Sequence, residues 1–395
     1  MTTPLSAAEA VTLARSGTEA LRRGDARLAR ESFERLIASG QATAQVWLGL
    51  ARACQGARDF AAAHAAIDKA LALEPSNLRA VILKADHLAH EGDERAASSF
   101  YLSAVRSAAS LERLPDDLRT EVARAQQMCE RFAAKFEATL RQRLLGSDVV
   151  ERPSAERFVR SLDILFGKRR VYYQQPRYYL FPELPQIQFY RRDAFPWLDQ
   201  VEAATGEIRA ELNEVLKEPS RFKPYVQGDP RRPHNEQQGM LNNPDWSAFY
   251  LWQEGKVVPE NAARCPATVR ALENVPLPCI PNRSPSILFS LLRPGARIPP
   301  HNGFVNTRLI CHLPLIVPPG CGFRVGNDTR TPVEGKAWVF DDTMEHEAWN
   351  GSDSIRAILL FETWRPELSA EERGLVTALF DAIDAHMGEK AAWPI

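Results

Sequence analysis

Three of the chain's eight histidines, His301, His312 and His346, fall in one stretch patterned as short strands. Imidazole suits Fe(II) and its first-row neighbours as a ligand. His301 follows PGARIPP at a strand entry, and His346 sits in FDDTMEHEAWN just past a strand. Held about one hairpin apart on a small barrel, the two rings can converge on one metal. Ten residues beyond His346, Arg356 lies in SIRAILLFETW, where Ile355, Ala357, Ile358 and Leu359 are apolar on both faces. That pattern predicts a buried strand, and a buried guanidinium demands an anionic partner. Its two-pronged geometry matches a carboxylate. A dicarboxylate co-substrate meets both needs, and metal-binding His followed one strand later by Arg is the spacing of a 2-oxoglutarate oxygenase.

Neighbouring strands add polar groups. In TRLICHLPLIV, period-two alternation puts Arg308, Ile310 and His312 on one face and Leu309, Cys311 and Leu313 on the other. In FSLLRPG, Ser290 shares a face with Leu288 and Leu292, from which its hydroxyl can donate to the carboxylate held by Arg356. Asp341 and Asp342 read either as acceptors orienting His346 or as turn residues. His64, His87, His90 and His386 lie in helical stretches and read as packing or solvent-facing. His234 sits in GDPRRPHNEQQ, a Pro/Asn/Arg-rich loop that reads as a mobile lid. Cys311 and Cys321 read as core.

The elements that must position these groups change character along the chain. After Pro281, five short strand patterns alternate with Pro-Gly, Gly-Cys-Gly, Gly-Asn-Asp and Asn-Gly-Ser turns, which argues for a sandwich or barrel. One helix is expected over Trp197–Lys217 and a closing helix near Ser369–His386. Upstream the chain is Ala-, Leu- and Arg-rich. Laid out at a period of 34, it gives Trp47, Leu50, Ala51, Ala63, Ile67, Ala70 and Pro75 in the best copy. The copy before supplies Leu13, Gly17, Ala29 and Phe33, and the copy after supplies Ala85, Ala97, Tyr101 and Ala104. Small residues suit close helix crossings and large ones fill the gap beside them. This resembles a tetratricopeptide solenoid over residues 10–111, with a helical cap to Leu145.

The bulk numbers describe an ordinary globular chain. It has 395 residues, a formal net charge of −1 and 45% hydrophobic residues. That balance gives no electrostatic reason to expect nucleic acid. Six scattered cysteines without a CxxC pair suggest reduced thiols. No secretory signal pattern opens the chain, and no run of eighteen apolar residues predicts a membrane span. A cytoplasmic location is expected.

The segment from His301 to Leu368, HNGFVNTRLICHLPLIVPPGCGFRVGNDTRTPVEGKAWVFDDTMEHEAWNGSDSIRAILLFETWRPEL, strongly resembles the aspartyl/asparaginyl β-hydroxylase family. The pieces FPWLDQVEAATGEIRAEL, DWSAFYLWQEG and CPATVRALENVP are similar to the same family, so the resemblance covers about residues 176–370. It implies Fe(II) held by His301 and His346, with 2-oxoglutarate and O2 as co-substrates. By position, Ser290 and Arg356 would hold the distal carboxylate of 2-oxoglutarate. Arg308 and His312 would lie near its proximal carboxylate or the substrate, and Trp246 would border the substrate pocket. The implied reaction hydroxylates an unactivated C–H, first of all the β-carbon of Asp or Asn in a peptide or protein docked by the solenoid. A small metabolite or a lipid acyl chain is the alternative substrate. A degenerate domain that binds without catalysis is the alternative from another class.

One position departs from that family, and a second departs only from the wider oxygenase chemistry. Ile310 occupies a place where the family's strand motif often has a second Arg, which weakens the case for an acidic substrate side chain. Gly303, two residues after His301, stands where most relatives of this chemistry carry a ligand carboxylate, and the resembled family has the same Gly there. A two-histidine site completed by water is therefore expected, with Asp342 able to bond that water and Asn302 pointing away. The fold expected is α+β and multidomain: a helical repeat domain over 1–145, a linker over 146–175, and a double-stranded β-helix (jelly-roll, cupin-like) catalytic domain over 176–395.

Overall fold

Each of the first six helices begins at a residue whose side chain accepts a backbone N–H. These are α1 (Ala7–Arg23), α2 (Ala26–Ala38), α3 (Ala44–Gly56), α4 (Phe60–Leu73), α5 (Leu78–His90) and α6 (Glu94–Ala109). Ser6, Asp25, Thr43, Asp59, Asn77 and Asp93 are the caps, satisfying donors that a helix start leaves free. Gly24 and Gly92 take the left-handed conformation before Asp25 and Asp93, as the turn within each helix pair requires. Arg58 adopts it at the equivalent place of the middle repeat. The small residue at position 49 is a steric need: a Cβ on Gly49 would meet the Phe33 ring at 2.4 Å. A 30-residue helix, α7 (Asp116–Leu145), closes the row and contributes Ala125 and Phe132 to the last core.

The computed structural model describes residues 5–111, 113–145, 155–228 and 239–387. The chain separates into two compact units, Met1–Phe166 and Gly167–Ile395. Part of the stretch expected to be a linker is helical: α8 (Glu156–Leu165) joins the first unit through an Arg141–Asp163 pair at 3.0 Å and a Phe136–Phe166 ring contact. The proposed lid around His234 lies outside the described residues.

The second unit is built on two antiparallel sheets. Its strands are β1 (Lys223–Pro224), β2 (Trp246–Gln253), β3 (Lys256–Val257), β4 (Ile287–Leu292), β5 (Arg297–His301) and β6 (Arg308–Ile316). They continue with β7 (Cys321–Val325), β8 (Asp328–Arg330), β9 (Trp338–Phe340), β10 (His346–Asn350) and β11 (Arg356–Trp364). One sheet runs β1-β2-β4-β11-β6-β9, with β3 paired to β2, and the other runs β5-β10-β7-β8. From β4 to β11 the chain passes from one sheet to the other at every step except β7 to β8, which form a hairpin; this order is compatible with a jelly roll. β2, β5 and β10 were not expected as strands.

Period-two alternation divides the apolar residues into two cores. Phe249, Phe289, Leu309, Cys311, Leu313, Leu359 and Phe361 face outward beneath α9 (Leu198–Ala203), α10 (Thr205–Val215) and α12 (Pro266–Ala271), which follows the short α11 (Pro259–Ala262). The single helix expected over Trp197–Lys217 is broken at Ala204, where the Thr205 hydroxyl donates to the Glu202 carbonyl. The opposite faces, with Leu288, Leu292, Ile310, Ile358 and Leu360, meet Phe323, Val325 and Ala348 of the second sheet. α13 (Ala370–Met387) starts at Ser369, which exchanges hydrogen bonds with Glu372. All six cysteines are free thiols. Among the described residues, no helix is long and apolar enough to cross a membrane.

Candidate active site

His301 ends β5 and His346 begins β10, and the two are cross-strand partners. The sequence reading placed both beside strands; the structure makes them members of one ladder. Their ring centroids lie 4.1 Å apart. Each Nδ1 is turned to a backbone carbonyl, Pro299 at 2.8 Å for His301 and Met344 at 3.0 Å for His346. A ring that donates through Nδ1 carries its lone pair on Nε2, the tautomer a metal needs. Burial holds both imidazoles neutral, His301 down to about 3 with the neighbouring His346 adding to the effect, and His346 to about 4. Neutral, oriented and paired imidazoles fit a first-row divalent ion.

Next to this pair lies Asp342. A Cβ built on Gly303 would stand 2.1 Å from its Oδ2, so the carboxylate fills the space any side chain at 303 would need. The Gly303 N–H also donates to the Asp342 carbonyl at 2.7 Å. Asn302 donates from its side-chain amide to the Thr343 carbonyl at 2.9 Å. Asp342 Oδ2 accepts from Arg308 Nη1 at 2.9 Å, while its Oδ1 is buried with no protein partner.

Arg308 is held by two carboxylates. Besides Asp342, Glu362 Oε1 lies 2.8 Å from its Nε. Burial alone opposes the guanidinium's charge, but Asp342 and Glu362 together keep its pKa above the usual arginine value. Burial raises the Glu362 carboxyl.

Arg356 differs. It opens β11 opposite Leu292, and its Nε and Nη2 are buried without any hydrogen-bond partner. Desolvation lowers its pKa to about 10, so the buried guanidinium stays charged at neutral pH. On the same interior face, Ser290 lies two residues along β4 from that partner. The Ser290 hydroxyl accepts from Trp246 Nε1 at 3.1 Å, which leaves its own proton free to be donated elsewhere. Trp246 stacks on Tyr225 with centroids 4.0 Å apart and lies 6.0 Å from the His301 ring. His312 is packed between Phe323 and Phe340, and its Nδ1 has no partner. Burial, with the Arg356 charge nearby, holds it well below the usual histidine range.

The structure thus brings His301, His346, Arg308, His312, Ser290, Arg356 and Trp246 into one interior. Neither aspartate side chain orients His346, whose Nδ1 takes a backbone carbonyl. Asp341 instead accepts from Arg365, Gln174 and Thr343 in a fully buried network. Sequence reasoning missed Glu362 and Tyr225. For Glu362 a signal existed, since alternation in β11 puts it on the Arg356 face. For Tyr225 there was none, because its place depends on β1 pairing with β2.

This is an antiparallel β domain whose interior gathers metal-capable and carboxylate-capable side chains. Residues 202–366 match the aspartyl/asparaginyl beta-hydroxylase family, and residues 15–55 and 55–112 match the tetratricopeptide repeat. The chain therefore carries an aspartyl/asparaginyl β-hydroxylase domain together with tetratricopeptide repeats. It is 39% identical over 146 residues to human aspartyl/asparaginyl beta-hydroxylase, covering 36% of this chain and 19% of that protein. With human aspartate beta-hydroxylase domain-containing protein 2 it shares 30% identity over 212 residues, 52% of this chain and 55% of that one. With the ornithine lipid ester-linked acyl 2-hydroxylase of Rhizobium tropici it shares 31% over 189 residues, 47% of this chain and 63% of that one. The match thus spans about a fifth of the length of the first relative and about half to three-fifths of the others.

Proposed function

We propose that the second unit is an Fe(II)- and 2-oxoglutarate-dependent hydroxylase. The observation that carries this reading is the buried Arg356 guanidinium, unpartnered at Nε and Nη2, in the same interior as a neutral, oriented His301–His346 pair. A bare buried cation is costly and persists where a ligand completes it. His301 and His346 would hold the iron through Nε2. Arg356 would take the distal carboxylate of 2-oxoglutarate as a two-pronged donor, with Ser290, already accepting from Trp246, giving its proton to the same group. His312 and Arg308 would border the rest of the co-substrate, Arg308 being fixed by Asp342 and Glu362. Asp342 would accept a hydrogen bond from a water beside the histidines through its unpaired Oδ1. With iron, 2-oxoglutarate and O2 bound, the site would couple decarboxylation to succinate and CO2 with hydroxylation of a C–H bond.

The substrate favoured is an Asp or Asn side chain in a peptide or protein, with the helical repeats as docking surface. The matched family and its human relative's name support this. An acyl chain is the second reading. It is supported by apolar Ile310 on the site-facing strand and by the lipid substrate in the Rhizobium relative's name. The test is succinate release from 2-oxoglutarate on adding Fe(II), run against peptide and lipid pools with detection of a one-oxygen mass gain. Succinate with an oxidised peptide or lipid supports the hydroxylase and selects the substrate. Absence of 2-oxoglutarate binding by the iron-loaded protein overturns it.

A further inference from the structure

The helical unit carries another group of metal-capable side chains. His64 stands on α4, while His87 and Glu91 stand one turn apart at the end of α5. One ligand atom from each of the three lies within 4.8 Å of the others. His87 Nε2 is 3.1 Å from Glu91 Oε1, and His64 Nδ1 is 4.0 Å from Glu91 Oε2. A tetrahedral ion with bonds of about 2.0–2.1 Å keeps neighbouring donors about 3.3 Å apart. The 3.1 Å and 4.0 Å separations lie on either side of that spacing.

His87 is an independent pointer to a ligand. Its side chain is fully buried, its Nδ1 has no hydrogen-bond partner, and its Nε2 lies against the Glu91 carboxylate. A buried histidine kept only for packing has no need of a carboxylate against its Nε2. Burial also keeps the ring neutral, as a ligand must be. The end of α5, where backbone carbonyls gather, favours a cation.

We propose that His64 Nδ1, His87 Nε2 and the Glu91 carboxylate form a site for a divalent transition metal, zinc first among them, tying α4 to α5. Two imidazoles and one carboxylate, with an open side toward solvent, suit zinc. Asp68 Oδ2 lies 3.2 Å from His64 Nε2 and would accept its proton, fixing the tautomer that offers Nδ1. Lys84 works against the ion. Its Nζ lies 2.6 Å from His64 Nε2 and 2.5 Å from Asp68 Oδ1. Metal binding moves it off the ring and onto Asp68 alone, so the lysine and the metal compete.

Zinc is titrated calorimetrically into the full chain bearing His346→Ala, which removes one imidazole of the other histidine pair. One equivalent should bind, and adding His87→Gln should abolish it. Glu91→Gln, at an exposed position that carries no folding risk, should weaken it by at least about tenfold, and Lys84→Met should tighten it by about tenfold. Circular dichroism checks that each variant is folded. Parent-like zinc binding in both the His87 and Glu91 variants overturns the site. Unchanged affinity in Lys84→Met overturns the assigned ligand geometry.

Discussion

Replacing Arg356 with Met should move stability and co-substrate binding in opposite directions. The guanidinium is buried, its Nε and Nη2 lack partners, and its pKa falls from 12.5 to about 10. At 1.36 kcal/mol per unit, keeping it charged costs the ligand-free fold about 3 kcal/mol. Met fills similar space without a charge, so Arg356→Met should stabilise the ligand-free protein by about 1–3 kcal/mol, allowing for imperfect packing. With 2-oxoglutarate present the sign reverses. The distal carboxylate would be desolvated against Met, a loss of about 3–5 kcal/mol, or roughly a hundredfold to several thousandfold in affinity. Iron binding should survive, because His301 and His346 belong to the other sheet. Urea denaturation measures the first quantity, and 2-oxoglutarate titration of the iron-loaded protein measures the second. A variant that is less stable yet binds 2-oxoglutarate normally would show that Arg356 is structural.

Three further outcomes follow from the same geometry. Gly303→Ala should push the Asp342 carboxylate aside and weaken iron binding by about 10–100-fold; chelator competition giving wild-type affinity would refute a role for that close approach. In the metal-free protein, His301, His346 and His312 are neutral when folded but bind protons below about pH 6.5 when unfolded. Their contribution is full above that pH and is lost on acidification, by up to about 1.4 kcal/mol per pH unit for each. Urea midpoints that stay level from pH 6.5 to 5 would contradict this. A truncation beginning at Gly167 should fold and keep iron and 2-oxoglutarate binding, since the cores of the two units share no residue. It should lose affinity for a protein substrate, and full affinity there would remove the docking role of the repeats.

Much of the site was legible before folding, because a strand's alternation is local. Reading every second residue put Arg308 with His312 and Ser290 with Leu288, and the apolar neighbours of Arg356 announced its burial. The 34-residue period marked the helix pairs in the same local way. What alternation leaves open is which strand lies beside which. His301 and His346 become partners only because β10 sits between β5 and β7. The fate of Arg308 was equally hidden. Asp342 lies 34 residues away and Glu362 lies on a strand reached through long-range pairing, so nothing near Arg308 announces two buried carboxylates. At Gly303 the sequence shows a missing side chain, and tertiary packing shows what stands in its space. Face is written residue by residue, whereas register and sheet order come from hydrogen bonds between distant segments, and these decided which polar groups meet.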